Sequence, residues 1–208
     1  MPENELQQLL TQGGAIVAII GVGSLVALTV FLWRLVALRR SRVVPRRLQV
    51  QVHDLVVREQ VPEALTLCRM DESPLARVLL VGLRQAGKAR AEVKEFLVEV
   101  GRHEAIAMQR GLTVLETVAV VSPLLGLLGT VWGMIEVFRT IEVQGVGDAG
   151  ALAGGIGTAL YTTLAGLLVA IPARVAHSAL LARSEALTLE LEEYALSLLD
   201  VLSSSAEA

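Results

Sequence analysis

Six threonines have a type and spacing that could do chemistry: Thr113, Thr117 and Thr130 in one apolar stretch, Thr158, Thr162 and Thr163 in another. Thr113, Thr117, Val120, Pro123 or Leu124, Leu127 and Thr130 recur every three to four residues and are expected to share a helical face. Gly150, Gly154, Thr158, Thr162 and Gly166 recur every four residues, with Thr163 beside that stripe. A hydroxyl both donates and accepts, so a row of them can hold water or hand a proton to a neighbour. For any one threonine, a bond to its own preceding carbonyl is the competing reading. Their concentration on two adjacent stretches favours a polar seam. Loading a proton inside hydrocarbon usually needs an ionisable group, and residues 117–135 and 149–173 contain none; Glu116 and Glu136 only bracket the first. Either another chain completes the relay, or no ion crosses.

Two other features could carry chemistry. Residues 82–88 match the phosphate-loop spacing G-x-x-x-x-G-K, but Ala89 stands where a Ser or Thr should meet magnesium. PLARVLLVGLRQAG before Lys88 reads as a helix capped by Gly87, so nucleotide binding is set aside. Cys68 is the single cysteine, which excludes an internal disulfide or a thiolate metal site, and it reads as a small buried residue.

The elements that must position the threonines are membrane helices. With 53% hydrophobic residues, 19% charged and a mean hydropathy of +0.60 in 208 residues, the chain is too apolar for a soluble domain. Three stretches are long enough at ~1.5 Å per residue to cross a ~30 Å hydrocarbon core. The first follows an acidic segment with Glu3 and Glu5 and lacks a cleavage site, so it is expected to be retained as a helix and not removed as a signal peptide.

Arginines set the expected orientation. Arg34, Arg39, Arg40, Arg42, Arg46 and Arg47 follow the first stretch, whereas residues 1–13 hold no basic residue. Arg102 and Arg110 precede the second stretch, and Arg174 and Arg183 follow the third. The expected order is therefore residues 1–13 outside, a first span at 14–38, a cytoplasmic helical loop at 39–112, and a second span at 113–138. A short outside loop at 139–151, a third span at 152–173 and a cytoplasmic helical tail at 174–208 complete it. Within the loop, prolines at first-turn positions predict short helices over 62–70 and 74–86, the latter capped by Ser73. Val93, Phe96, Leu97, Val100 and Ile106 predict a helix that continues without a break into the second span. Leu180, Leu181, Leu187, Leu191 and Leu198 likewise extend the third. The expectation is an all-α integral membrane protein with a cytoplasmic helical bundle.

Packing signals sit inside the spans. Gly126, Gly129 and Gly133 in the second, Gly154 and Gly166 in the third, permit close approach of neighbouring helices. Pro123 and Pro172 are the helix-interior prolines; each removes one backbone hydrogen bond.

SPLLGLLGTVWGMIEVF and GIGTALYTTLAGLLVAIPA closely resemble the second- and third-span signatures of the ExbB/TolQ/MotA proton-channel family. The likeness extends over the three spans, the helical loop and the long tail. It implies a homopentamer in the bacterial inner membrane, N-terminus periplasmic and C-terminus cytoplasmic. The pentamer's second and third spans would surround the helix of a single-span ExbD/TolR-like partner that carries an aspartate. Thr130 and Thr163 match the family's pore-facing threonines; Thr158, Thr162 and Thr117 are further candidates for the path. Thr158 departs from the family pattern, because ExbB and TolQ proteins typically carry glutamate there, which marks a divergent member of that branch. The implied function is a proton-driven motor subunit, with protons or sodium as coupling ion, that energises envelope transport, envelope integrity or motility through a TonB/TolA-like effector. No enzymatic activity, cofactor, metal or nucleic acid is expected. A non-conducting scaffold that gathers envelope proteins is the alternative.

Overall fold

The computed structural model describes residues 14–144 and 149–207; the expected outside segment 1–13 and part of the 139–151 loop lie outside the described residues. Every regular element among the described residues is helical. In chain order they are α1 (Gly14–Ala37), α2 (Arg40–Val43), α3 (Arg46–Val57), α4 (Val61–Met70), α5 (Pro74–Arg84), α6 (Arg90–Gln109), α7 (Leu112–Gln144) and α8 (Ala149–Glu207). Three of them, α1, α7 and α8, are long and apolar enough to cross a membrane. At ~1.5 Å per residue α8 is far longer than a bilayer core is thick, so only part of it can be a span.

The chain divides into two compact units, Met1–Leu32 with Gly111–Ser178, and Trp33–Arg110 with Ala179–Ala208. In the first, α7 turns Leu115, Ala119, Ser122, Gly126 and Gly129 inward, alternating three- and four-residue steps. Residues Ala159, Thr162, Gly166, Ala170 and Ala173 of α8 are its buried stripe. These residues are small, so the two backbones touch. A Cβ placed on Gly126 would stand 2.9 Å from the Thr162 carbonyl oxygen, and one on Gly133 would stand 2.9 Å from the Ala159 Cβ. Ile20 and Ala27 are the buried positions of α1 in this unit.

The second unit is held by an apolar core with polar ties at its edges. Val43, Val44, Leu48, Val52 and Val56 are buried along α2 and α3, as are Leu75, Val78, Leu79 and Leu83 on α5 and Leu180, Leu187, Leu191 and Leu198 on α8. Arg183 donates to the Leu38 carbonyl at 2.7 Å, Arg40 makes a bidentate pair with Glu190, and the Tyr194 hydroxyl donates to the Gln49 carbonyl. Arg77 grips Glu104 through two guanidinium nitrogens, with Nε at 2.6 Å. The Arg40 hydrogen bond holds the Glu190 carboxyl below its usual range.

Short helices in the loop start where the prolines predict, at Val61 and Pro74, and Ser73 Oγ accepts from the Ala76 amide at 3.2 Å. Gly82 is buried inside α5, where a Cβ would stand 3.1 Å from Leu97, and Lys88 pairs with Glu92 at 2.8 Å. The G-x-x-x-x-G-K match is thus a helix end followed by a turn at Gly87 (φ +93°), not a phosphate cradle. Cys68 is buried, and desolvation pushes its thiol up to about 11.

The unbroken helix expected from residue 90 into the second span is corrected. α6 ends at Gln109 and α7 begins at Leu112, because Gly111 takes a φ of +82°, which ends a right-handed helix without needing proline. The stripe on α6 shifts accordingly: Val93, Leu97, Gly101, Glu104 and Met108 are buried, while Ile106 is exposed. By contrast α8 continues through Pro172 as one helix.

Candidate functional site

The shared face expected for Thr113 through Thr130 divides in two. The thirteen residues from Thr117 to Thr130 leave the two about 140° apart around a helix of ~100° per residue. Thr113, Thr117, Val120, Leu124 and Leu127 are exposed within the chain, whereas Thr130 is half-buried against α8. A strict four-residue stripe drifts similarly, by ~40° per step, so a Cβ added to Gly154 would meet nothing within 4 Å while Gly155 is packed against Val137.

Three hydroxyls come together instead. Thr130, Thr162 and Thr163 all reach the carbonyl of Gly126, at 3.1, 3.3 and 3.1 Å. The Ala159 carbonyl accepts from Thr162 at 2.7 Å and from Thr130 at 3.3 Å, and the Thr130 and Thr163 hydroxyls are hydrogen-bonded to each other. Glycine makes the approach possible: a Cβ on Gly129 would overlap the Thr162 side chain, and one on Gly166 would meet the Ser122 carbonyl oxygen at 2.5 Å.

Each hydroxyl has one proton to donate, so three protons face more acceptors than they can satisfy at once. The cluster therefore has several nearly equivalent hydrogen-bond arrangements, reached by rotating Cα–Cβ and C–O bonds. Thr162 is fully enclosed at 2% exposure, whereas Thr130 and Thr163 are partly open. An incoming polar group would meet the latter pair first.

The other candidates stand apart. Thr117 Oγ1 donates to the Thr113 carbonyl at 2.8 Å, and Thr158 Oγ1 donates to the Gly154 carbonyl at 3.0 Å. Each is satisfied within its own helix. Pro123 is half-buried and Pro172 exposed, both in helix interiors.

Two features escaped the sequence. Ser122, 3% exposed, presents its carbonyl to Gly166, and Arg174 lies 3.9 Å from Glu116, the charge nearest the apolar part of α7 on that side. Ser122 precedes Pro123 in a run where serine reads as a cap, so nothing flagged it as a packing residue. The Glu116–Arg174 pair joins residues 58 apart, invisible without the α7–α8 register.

The sequence profile described as the MotA/TolQ/ExbB proton channel family matches residues 70–193, which include α7, the hydroxyl cluster and most of α8. The chain belongs to this family. An ExbB-like biopolymer transport protein of a Synechocystis strain is 32% identical over 168 residues, 77% of this chain and 64% of that protein. The biopolymer transport protein ExbB of Neisseria gonorrhoeae is 38% identical over 107 residues, 50% of this chain and 49% of its own. The exbB1 protein of Vibrio cholerae reaches 53% over 64 residues, 30% of this chain and 28% of its own. The matched part is less than two thirds of each relative's length. Family membership and three apolar helices together make the chain a multi-pass membrane protein.

Proposed function

We propose that this chain is an ExbB/TolQ-like subunit of a proton-driven motor in the bacterial inner membrane. It assembles as a homopentamer around the helix of a single-span ExbD/TolR-like partner. The observation that carries this reading is the paired Thr130 and Thr163 hydroxyls, set in spans without any charged side chain between residues 117 and 135 or 149 and 173. Such a pair can donate to an ionised carboxylate and accept from a protonated one, so it suits a proton that arrives on another chain's aspartate. Re-aiming toward the Gly126 or Ala159 carbonyl releases the carboxylate without leaving a hydroxyl unbonded. With Thr158 where relatives typically carry glutamate, the acid comes wholly from the partner. The loop 39–112 and tail 174–208 then lie in the cytoplasm as a bundle, and the work passes through a TonB/TolA-like effector to the envelope.

The test is proton flux into vesicles that hold the chain and a co-purified single-span partner, driven by a potassium-diffusion potential. Flux that needs the partner's aspartate supports the reading. An assembled complex that conducts neither protons nor sodium, and whose cellular work survives a protonophore, overturns it in favour of a scaffold.

A further inference from the structure

We propose that the segment joining α1 to α3 is a binding site for anionic phospholipid headgroups. Three of the chain's 18 basic residues, Arg39, Arg40 and Arg42, fall within it, Arg34 precedes it on α1, Arg46 and Arg47 open α3, and no acid occurs from residue 6 to residue 53. Arg39, Arg42, Arg46 and Arg47 are exposed, and the backbone beneath them is fixed. Val43, Val44 and Leu48 are each 3% exposed or less, and Arg40 is anchored by both oxygens of Glu190. Four guanidiniums are thus presented on a rigid elbow at small entropic cost, a geometry suited to phosphate oxygens.

The neighbouring residues select a lipid as occupant. Within the same unit, Trp33 (61%), Leu35 (42%) and Val36 (36%) expose apolar surface immediately before the arginines. An apolar turn begun by tryptophan and followed by cations is the pattern of a membrane–water boundary. A nucleic acid would leave that apolar surface uncovered, whereas acyl chains cover it while the headgroup meets the arginines. Arg34 stands apart from the four exposed arginines. It is 6% exposed, its guanidinium lies 4.6 Å from the Trp33 ring centre, and its Nε has no hydrogen-bond partner. That donor is enclosed, so the four exposed arginines carry the headgroup contact.

The experiment uses the full chain carrying Trp132→Phe, which leaves Trp33 as the one tryptophan, reconstituted with brominated phosphatidylglycerol or brominated phosphatidylcholine. Bromine quenches indole fluorescence only on contact, so the mole fraction giving half-quenching reads local enrichment. We expect half-quenching at a mole fraction about five-fold lower for phosphatidylglycerol, the size of roughly one arginine–headgroup interaction. Replacing Arg39, Arg42, Arg46 and Arg47 by Gln should abolish the difference, and replacing all four by Lys should keep it, which separates lost charge from lost folding. Equal quenching by the two lipids, or a preference that survives the Gln replacements, overturns the proposal. So does loss of the preference in millimolar inorganic phosphate, or tighter binding to a single-stranded oligonucleotide than to phosphatidylglycerol vesicles.

Discussion

The hydroxyls of Thr130 and Thr163 are hydrogen-bonded to each other across the α7–α8 contact, and both also reach the carbonyl of Gly126. Valine replaces threonine at nearly constant volume and deletes only this capability. Thr130→Val and Thr163→Val should each lower partner-dependent proton flux by about tenfold, the equivalent of one net hydrogen bond in a dry site. Because they act as a pair, the double variant should be little worse than the poorer single one. Serine at either position should retain most of the flux. Flux assays on complexes of verified stoichiometry check all these variants.

Close approach of α7 and α8 rests on particular glycines and not on glycine content. Gly166→Val should lower the midpoint of thermal unfolding in detergent by several degrees, because its Cβ would meet the Ser122 carbonyl oxygen, which belongs to backbone and cannot swing aside. Gly154→Ala should leave it unchanged, since no atom lies within 4 Å of the added methyl. Thermal melts of the two variants beside the parent, followed by circular dichroism, distinguish these outcomes. Equal destabilisation by both would mean that the helix register differs from the one described.

The helical class and the three long apolar stretches were legible because composition and length act over tens of residues. Which threonines meet was not. From Thr117 to Thr130 the three-residue steps, each ~60° short of a full turn, leave the two about 140° apart, while the ~40° overshoot of a four-residue step sets Thr158 off from Thr162; both offsets build silently along a sequence that keeps its local periodicity. The break before α7 was missed for another reason. Gly111 ends α6 through a positive φ, and a single glycine beside Arg110 gives no stronger signal than the many glycines that stay helical in α7 and α8. Burial of Cys68 was readable from its position among apolar residues in α4; its company in the second unit, including the Tyr194–Gln49 tie, came only from folding.

Cys68 is 2% exposed and its thiol is pushed up to about 11 by burial, with Asp71 adding to the shift. At pH 8 the thiolate would be about a hundred-fold scarcer than for an ordinary cysteine, and the sulfur is also out of reach. Iodoacetamide should therefore leave the folded chain unmodified over the time in which denatured chain reacts fully. Raising the pH to about 9 should accelerate labelling tenfold or less. Mass measurement of intact protein follows both, and rapid labelling at pH 8 would show that α4 opens or packs differently.

Glu104 is buried on α6 with its side chain 11% exposed, and Arg77 of α5, half-exposed, holds both of its oxygens. The same hydrogen bonding raises the Arg77 pKa, so the cation persists at every accessible pH. Removing one partner strands the other. Arg77→Ala leaves a carboxylate with little access to water, but the opening left by the arginine admits solvent, so the cost should be about 1–2 kcal/mol and not the roughly 3–5 kcal/mol typical of a fully enclosed pair. Arg77→Met together with Glu104→Met removes both charges and keeps apolar volume, and should recover most of that loss. Urea unfolding of the second unit's helices, followed by circular dichroism in detergent, gives the comparison. A double variant as unstable as Arg77→Ala would mean that this contact contributes specific hydrogen bonding that packing cannot replace.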